Sequence, residues 1–238
     1  MSRILFQESY IVIVPSFEKT ATHKHPFLHL FSGQNKCKIK TDKKELQGNI
    51  ILIDSNNRHA VEPGNDCDFF LLIDPTSAIA EQMKEQYIKD NFYHEITGDI
   101  INVPEDINRL SENEIIRIVE SVLLTMGISN KRNGTKDERI QRVIDKIISG
   151  EWLSYNVKQI AEVVFLSESR LTHLFKEEVG ISLKSYILIR RMECAYRIVS
   201  SGGKITRAAQ ESGFSSSAHL AYTCKTSTGV SITDVLKG

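Results

Sequence analysis

Hydrophobic positions in the first third of the chain fall in short alternating or continuous runs, at Tyr10–Val14, 27–31, 37–40, 50–53 and 68–73, each broken by turn residues. Runs of that length, rich in β-branched and aromatic residues, predict strands. Their close spacing predicts a small barrel or sandwich. From Ser77 the period changes, and Ile79, Met83 and Ile88 become the apolar positions of a polar, helix-like segment. Ser111-Glu112-Asn113-Glu114 then has the form of a capping box, in which the serine oxygen and the glutamate each satisfy an orphan helix N–H. Downstream, Ile115, Ile118, Val119, Val122, Leu123 and Met126 recur at spacings of three and four and so form one stripe. Such a stripe either packs on its own domain or serves as a dimer contact.

Residues 128–136 combine Ser, Asn, Gly and basic side chains with no apolar position after Ile128, which predicts a linker. The chain then divides into residues 1–127, a linker at 128–136, and a second domain at 137–238. A second capping box, Thr135-x-x-Glu138, predicts the start of a helix with Ile140, Val143, Ile144, Ile147 and Ile148 as its core face. Helical periodicity continues to the end of the chain. The expected fold is therefore α+β: a β-rich N-terminal barrel with helices, followed by an all-α domain.

Within that domain two segments share one plan, a short helix, a tight turn and a second helix with a polar outer face. The first runs from Asn156 through Ser167 and continues from Glu168 to Glu178. Leu171, Leu174 and Phe175 are spaced i, i+3, i+4 and face the core, leaving Ser169, Thr172, His173 and Lys176 outward. A recognition helix needs that arrangement to enter a major groove. The second segment runs from Ile205 to Phe214 and on from Ser215 to Lys225. Gly213 supplies its turn, Leu220 and Cys224 lie inward, and Ser217, Ala218, Ala221, Tyr222 and Lys225 lie outward. A long helix, Leu183–Ser200, joins the two units.

These residues resemble the AraC/XylS (arabinose-regulator) family across roughly residues 138–238. The resemblance is carried by Ile160-Ala161, by Leu166-Ser167 with Leu171, Phe175-Lys176 and Gly180, by Tyr186 and Arg191-Met192-Glu193-Cys194-Ala195, and by Gly213-Phe214 with Lys225 and Gly229. It implies two helix-turn-helix subdomains on a rigid linker helix, reaching one face of promoter DNA about one helical turn apart. It also implies a transcription regulator, more often an activator, with RNA polymerase as a partner. Base-reading positions carry over to Ser169, Thr172 and His173 in the first unit, and to Ser217, Ala218, Ala221 and Tyr222 in the second. Arg170, Lys176 and Lys225 are the phosphate candidates, whereas Arg191 is expected to form an intradomain salt bridge. Three departures stand out. Phe165 replaces the glycine of the first turn, Cys224 an aromatic core residue, and Ile232 a proline. In the second unit Tyr222 also replaces a basic reader, so no side chain there can make the bidentate arginine–guanine contact. The first unit is expected to read sequence and the second to position the protein.

The charge agrees in sign with such a partner. From Lys136 onward there are 15 Lys and Arg against 11 Asp and Glu, leaving 15 against 19 before it, so the whole chain is neutral but polarised. Cys37, Cys67, Cys194 and Cys224 show no CxxC pair, so neither a zinc finger nor a disulfide framework is expected, and reduced thiols in a cytoplasmic protein are the default. No stretch approaches the roughly 20 apolar residues of a membrane span.

Candidate chemistry in the N-terminal part lies in His23-x-His25-x-x-x-His29 and in Gly48-x5-Asp54-x-Asn56-x2-His59. The spacing resembles the two cupin motifs, with His29 in place of a glutamate. Positions 23, 25 and 29 differ by even numbers and would share one face of a strand. Imidazoles converging in a barrel could hold a divalent Zn, Fe, Ni or Cu ion. A metal-free pocket for a small-molecule effector, which the family resemblance implies, and a purely structural barrel are the alternatives. A cupin-type metalloenzyme and a protein-binding adaptor with a weakened second unit are the rival functions. No GxSxG, P-loop or HExxH motif is present.

Overall fold

The computed structural model describes residues 3–15, 22–61, 67–98, 104, 107–129, 135, 137–228 and 232. The N-terminal part is built on seven antiparallel strands: β1 (Arg3–Phe6), β2 (Tyr10–Val14), β3 (Leu28–Thr41), β4 (Glu45–Ile53), β5 (His59–Val61), β6 (Phe69–Ile73) and β7 (Tyr93–Ile96). Their order is β1-β2-β6-β3-β4-β7, with β5 paired to the far end of β3. Among the described residues no ladder joins β1 to β7, so the sheet is open at both edges. The expected strands 27–31 and 37–40 prove to be one long strand, β3, whose register against β4 shifts between Ser32 and Cys37. Such a bulge adds unpaired residues and bends the strand.

Side-chain alternation sorts the sheet into two apolar faces. Tyr10, Val12, Val14, Leu28, Leu30, Leu52 and Leu71 point to one face, under α1 (Ala78–Met83), its π-helical continuation Lys84–Ile88, and α2 (Glu112–Thr125). Ile11, Ile13, Phe31, Ile39, Ile51, Ile53 and Leu72 point to the other. The capping box of α2 forms as expected, with Ser111 N donating to Glu114 Oε2 at 2.8 Å. Ile115, Val119, Val122, Leu123 and Met126 are all buried against the sheet. The α2 stripe is therefore packed largely inside its own domain.

The all-α part contains α3 (Glu138–Ile148), α4 (Val157–Val163), α5 (Glu168–Val179), α6 (Leu183–Ser200), α7 (Ile205–Glu211) and α8 (Ser217–Thr228). Two local expectations are corrected. The side chain that caps α3 is Asp137, accepting from Arg139 N at 2.9 Å, because Thr135 lies two residues too early to reach the first turn. Ile148 sits at the end of α3 and is 58% exposed, while Ile140, Val143 and Ile147 form the core face. Most of the expected linker, like Gly229, lies outside the described residues. A third correction concerns the thiols. The structure pairs Cys37 and Cys67 in a disulfide with Cα atoms 5.2 Å apart, because β3 and β6 are ladder neighbours and Cys67 lies two residues before the start of β6. Cys194 and Cys224 are free.

The β and α parts touch. The Phe6 ring packs on Tyr196 at 5.5 Å, and Ser182 N, at the start of α6, donates to Thr76 Oγ1 at 3.0 Å. No helix among the described residues is long and apolar enough to cross a membrane.

Candidate nucleic-acid interface and a buried histidine cluster

Each helix pair is closed by the same turn. At the end of α4, Leu166 N donates to Ala161 O at 3.0 Å and Phe165 N to Glu162 O at 3.3 Å. At the end of α7, Phe214 N donates to Ala209 O at 2.9 Å and Gly213 N to Gln210 O at 3.3 Å. Both are Schellman motifs, which require a left-handed residue at the position after the helix cap. Gly213 supplies it with φ +76°, and in the first unit Phe165 is held there at φ +55°. The departure seen in the sequence is thus a real backbone constraint. Phe165 bears it with its ring 91% exposed, whereas a Cβ on Gly213 would meet Leu153 O at 2.5 Å.

Downstream of the first turn, Ser167 caps α5 by accepting from Arg170 N at 3.2 Å. Leu171, Leu174 and Phe175 are buried, while Ser169, Arg170, His173 and Lys176 are exposed and Thr172 is half-buried. None of the ion pairs among the described residues involves Arg170 or Lys176. Thr172 Oγ1 lies 2.9 Å from Glu168 O and 3.0 Å from Ser169 O, so its proton is committed to its own helix. What it can offer a base is a methyl group and an accepting lone pair. In the second unit Ala218, Tyr222 and Lys225 are exposed, Ser217 and Ala221 are half-buried, and Leu220 and Cys224 are buried. Burial pushes the Cys224 thiol up to about 12. The structure adds His219, which the helical spacing gave no reason to single out. It is exposed, its Nδ1 lies 2.9 Å from Ser215 Oγ, and its ring meets Phe214 edge-on at 5.4 Å.

Both units rest on α6. Arg191 donates to Leu153 O at 2.5 Å and to Tyr155 O at 3.3 Å, so it bonds backbone carbonyls and not the carboxylate expected from the sequence. The ion pair belongs instead to its neighbour Arg190, which meets Glu193 at 2.6 Å. Neither arginine is available for phosphate.

The family model for a helix-turn-helix domain matches residues 160–238. Residues 160–238 form a helix-turn-helix domain of the kind found in AraC/XylS regulators, to which the chain is similar. Among curated relatives, the arabinose operon regulatory protein of Escherichia coli is 27% identical over 153 residues, covering 61% of this chain and 51% of the relative. The XylDLEGF operon transcriptional activator 3 of Pseudomonas putida is 23% identical over 215 residues, covering 80% of this chain and 65% of the relative. The chain spans about half the length of the arabinose regulators it matches. Both relatives are named as regulators of transcription and neither as an enzyme. Among solved structures, fatty-acid-bound ToxT from Vibrio cholerae is 15% identical with a TM-score of 0.44, covering 98% of this chain and 96% of that one. The C-terminal domain of AraT from Geobacillus stearothermophilus is 22% identical with a TM-score of 0.40, covering 42% and 85%.

The helix-turn-helix domain does not include the second chemical feature of the chain, the histidines of the β part. They do not share one strand. His23 forms an isolated bridge with His59 of β5, with N–H···O bonds of 3.0 and 2.9 Å in the two directions, and His29 lies in β3. His25 O accepts from Asn56 N at 2.9 Å. The topology nevertheless brings all four rings together, with centroids 4.7 Å apart for His23–His59, 4.2 Å for His25–His29 and 4.4 Å for His29–His59. His25 and His29 are 3% and 2% exposed, and among the described residues neither ring nitrogen of His25 nor Nδ1 of His29 has a hydrogen-bond partner. Each such group costs about 1–3 kcal/mol. Burial, with a contribution from His59, takes the His25 pKa down to about 2, and burial with the neighbouring imidazoles takes His29 well below its usual range. His59 falls to about 4, again through burial, against the opposing hydrogen bond to Asn57 O at 2.9 Å. At neutral pH these three rings are uncharged.

Proposed function

We propose that this chain is a sequence-specific transcription regulator that holds promoter DNA through both helix-turn-helix units and acts as an activator by recruiting RNA polymerase. The supporting observation is the paired construction: α5 and α8 follow identical Schellman turns, are fixed through α6, and carry exposed polar and basic side chains. In this reading Ser169, Thr172 and His173 read bases, Arg170, Lys176 and Lys225 neutralise phosphates, and Ser217, Ala218, Ala221 and Tyr222 form the second contact surface. The second unit offers few base-edge donors, so it positions the protein while the first discriminates. His219 joins that second surface as its one exposed imidazole. The β part receives the signal, a small molecule, and the protein works in the cytoplasm. Homodimerisation belongs to the same proposal, through a surface other than the buried α2 stripe.

The test measures the affinity of the full chain for DNA from upstream of its own gene and for random DNA, at two salt concentrations. Thr172→Ala combined with His173→Ala should lower specific affinity at least tenfold, about 1.4 kcal/mol, and leave non-specific, salt-dependent binding in place. Unchanged footprints in the double variant would remove the base-reading role. Equal, weak binding to both DNAs by the parent would favour the adaptor reading.

A further inference from the structure

We infer that the histidine cluster of the β part binds a divalent first-row transition cation through His23, His25 and His59, with His29 as a fourth imidazole. The site stands whether or not the chain reads DNA.

Several observations converge on it. Nitrogen atoms of His23, His25 and His59 lie within 4.8 Å of one another. The residues come from separate segments, namely the stretch leading into β3 and the short strand β5, and their backbones are tied by the His23–His59 bridge and by the Asn56 N to His25 O bond. Convergence is therefore imposed by topology and not by helical or strand periodicity. His25 and His29 bury ring nitrogens that no group among the described residues satisfies, which is costly unless something else occupies their lone pairs. His59 shows which nitrogen is on offer. Its Nδ1 is 2.9 Å from Asn57 O and must donate to it, which leaves the lone pair on Nε2. A ligand histidine whose other nitrogen is held by a backbone carbonyl is the usual outer-shell arrangement of a metal site.

The donor set also selects the ion. Among the described residues the grouped side chains are imidazoles only, without carboxylate or thiolate. The nearby Asp54 is engaged by Lys84 at 2.9 Å and by Ser55 N at 2.7 Å. Calcium and magnesium require oxygen donors, whereas neutral imidazoles suit Zn, Cu, Fe and Ni. Metal–nitrogen bonds of about 2.1 Å in a tetrahedral site place the nitrogens about 3.4 Å apart, so the rings close by rotating about their side-chain bonds when the ion enters. Binding would then staple the segment around His23 and His25 onto β3 and β5, tightening the edge of the sheet.

The experiment uses the untagged full chain, stripped with chelator and dialysed, with Co2+ as the spectroscopic probe and Zn2+ as competitor. One equivalent of Co2+ should give visible absorption bands that one equivalent of Zn2+ abolishes, and Zn2+ should raise the melting temperature. His59→Ala and His23→Ala should each weaken Zn2+ binding at least a hundredfold. His23 is only half-buried, so its variant decides the matter if His59→Ala does not fold. Absence of the Co2+ bands together with an unmoved melting temperature would overturn the site, and so would stoichiometric binding retained in the His23→Ala protein.

Discussion

Replacing Phe165 with glycine should stabilise the protein, against the usual sign for removing an aromatic side chain. Phe165 holds φ +55° because the Schellman turn after α4 demands it. A residue with a Cβ pays about 1–2 kcal/mol in that region. Glycine avoids this but gives back about 0.5–1 kcal/mol through the greater freedom of the unfolded chain. The ring itself contributes little, since it is 91% exposed. A tenth of the burial energy of a phenylalanine is about 0.2–0.3 kcal/mol. The balance favours the variant by about 0.5 kcal/mol, roughly 1–2 °C in Tm for a protein of this size. Scanning calorimetry of the parent, Phe165→Gly and Phe165→Ala separates the contributions, because alanine loses the ring yet keeps the strained Cβ. The order of melting should be Gly above Ala. A glycine variant that melts at or below the alanine variant would show that the turn is unstrained or that the ring is held by contacts the structure does not contain.

Gly213→Ala should have the opposite effect, lowering stability by about 2–3 kcal/mol in a denaturant titration, because the added Cβ meets Leu153 O at 2.5 Å as well as an unfavourable φ. In chelator, stability should fall as pH drops below about 6.5. The unfolded histidines take up protons there while His59 waits until about pH 4 and His25 until about pH 2, so the unfolded state binds more protons across that window. Urea midpoints at pH 7.5 and 5.5 read the difference, and a midpoint unchanged between them would mean that the cluster is open to water.

What the sequence revealed and what it hid follow from how far apart the deciding residues lie. Periodicity located α2, α5, α6 and β2, because each is fixed by side chains within one element. Where the decision depended on a neighbour, the reading failed. Strand β5 has only three residues, and β7 is half-buried throughout, so neither carries an apolar run. Asp137 displaced Thr135 as the α3 cap by a shift of two positions that no spacing rule detects. Cys37 and Cys67 are 30 residues apart, and they pair because β3 and β6 are neighbours, a fact of topology. The histidines show both sides of this. Their identity and spacing drew attention from the sequence, yet the reason offered, a common strand face, was not the one that operates. They converge because β5 folds back to bridge His23, and Asn57, which fixes the tautomer of His59, carried no signal at all.

The same distinction explains why the two turns tolerate different residues. Both need a left-handed residue, so φ alone would ask for glycine twice. In the first unit the space beyond Phe165 is solvent, and strain is the only cost. In the second, Gly213 lies against the backbone of Leu153, whose carbonyl also receives Arg191 from α6. One peptide group thus holds the linker helix on one side and the second helix-turn-helix on the other. A side chain at 213 would push the second unit off that support and change its distance from the first. Gly213 is therefore required by its contact with that peptide group, and Phe165 is permitted by the absence of such a contact. The turn residue that sequence comparison would call defective is therefore the cheaper of the two to change.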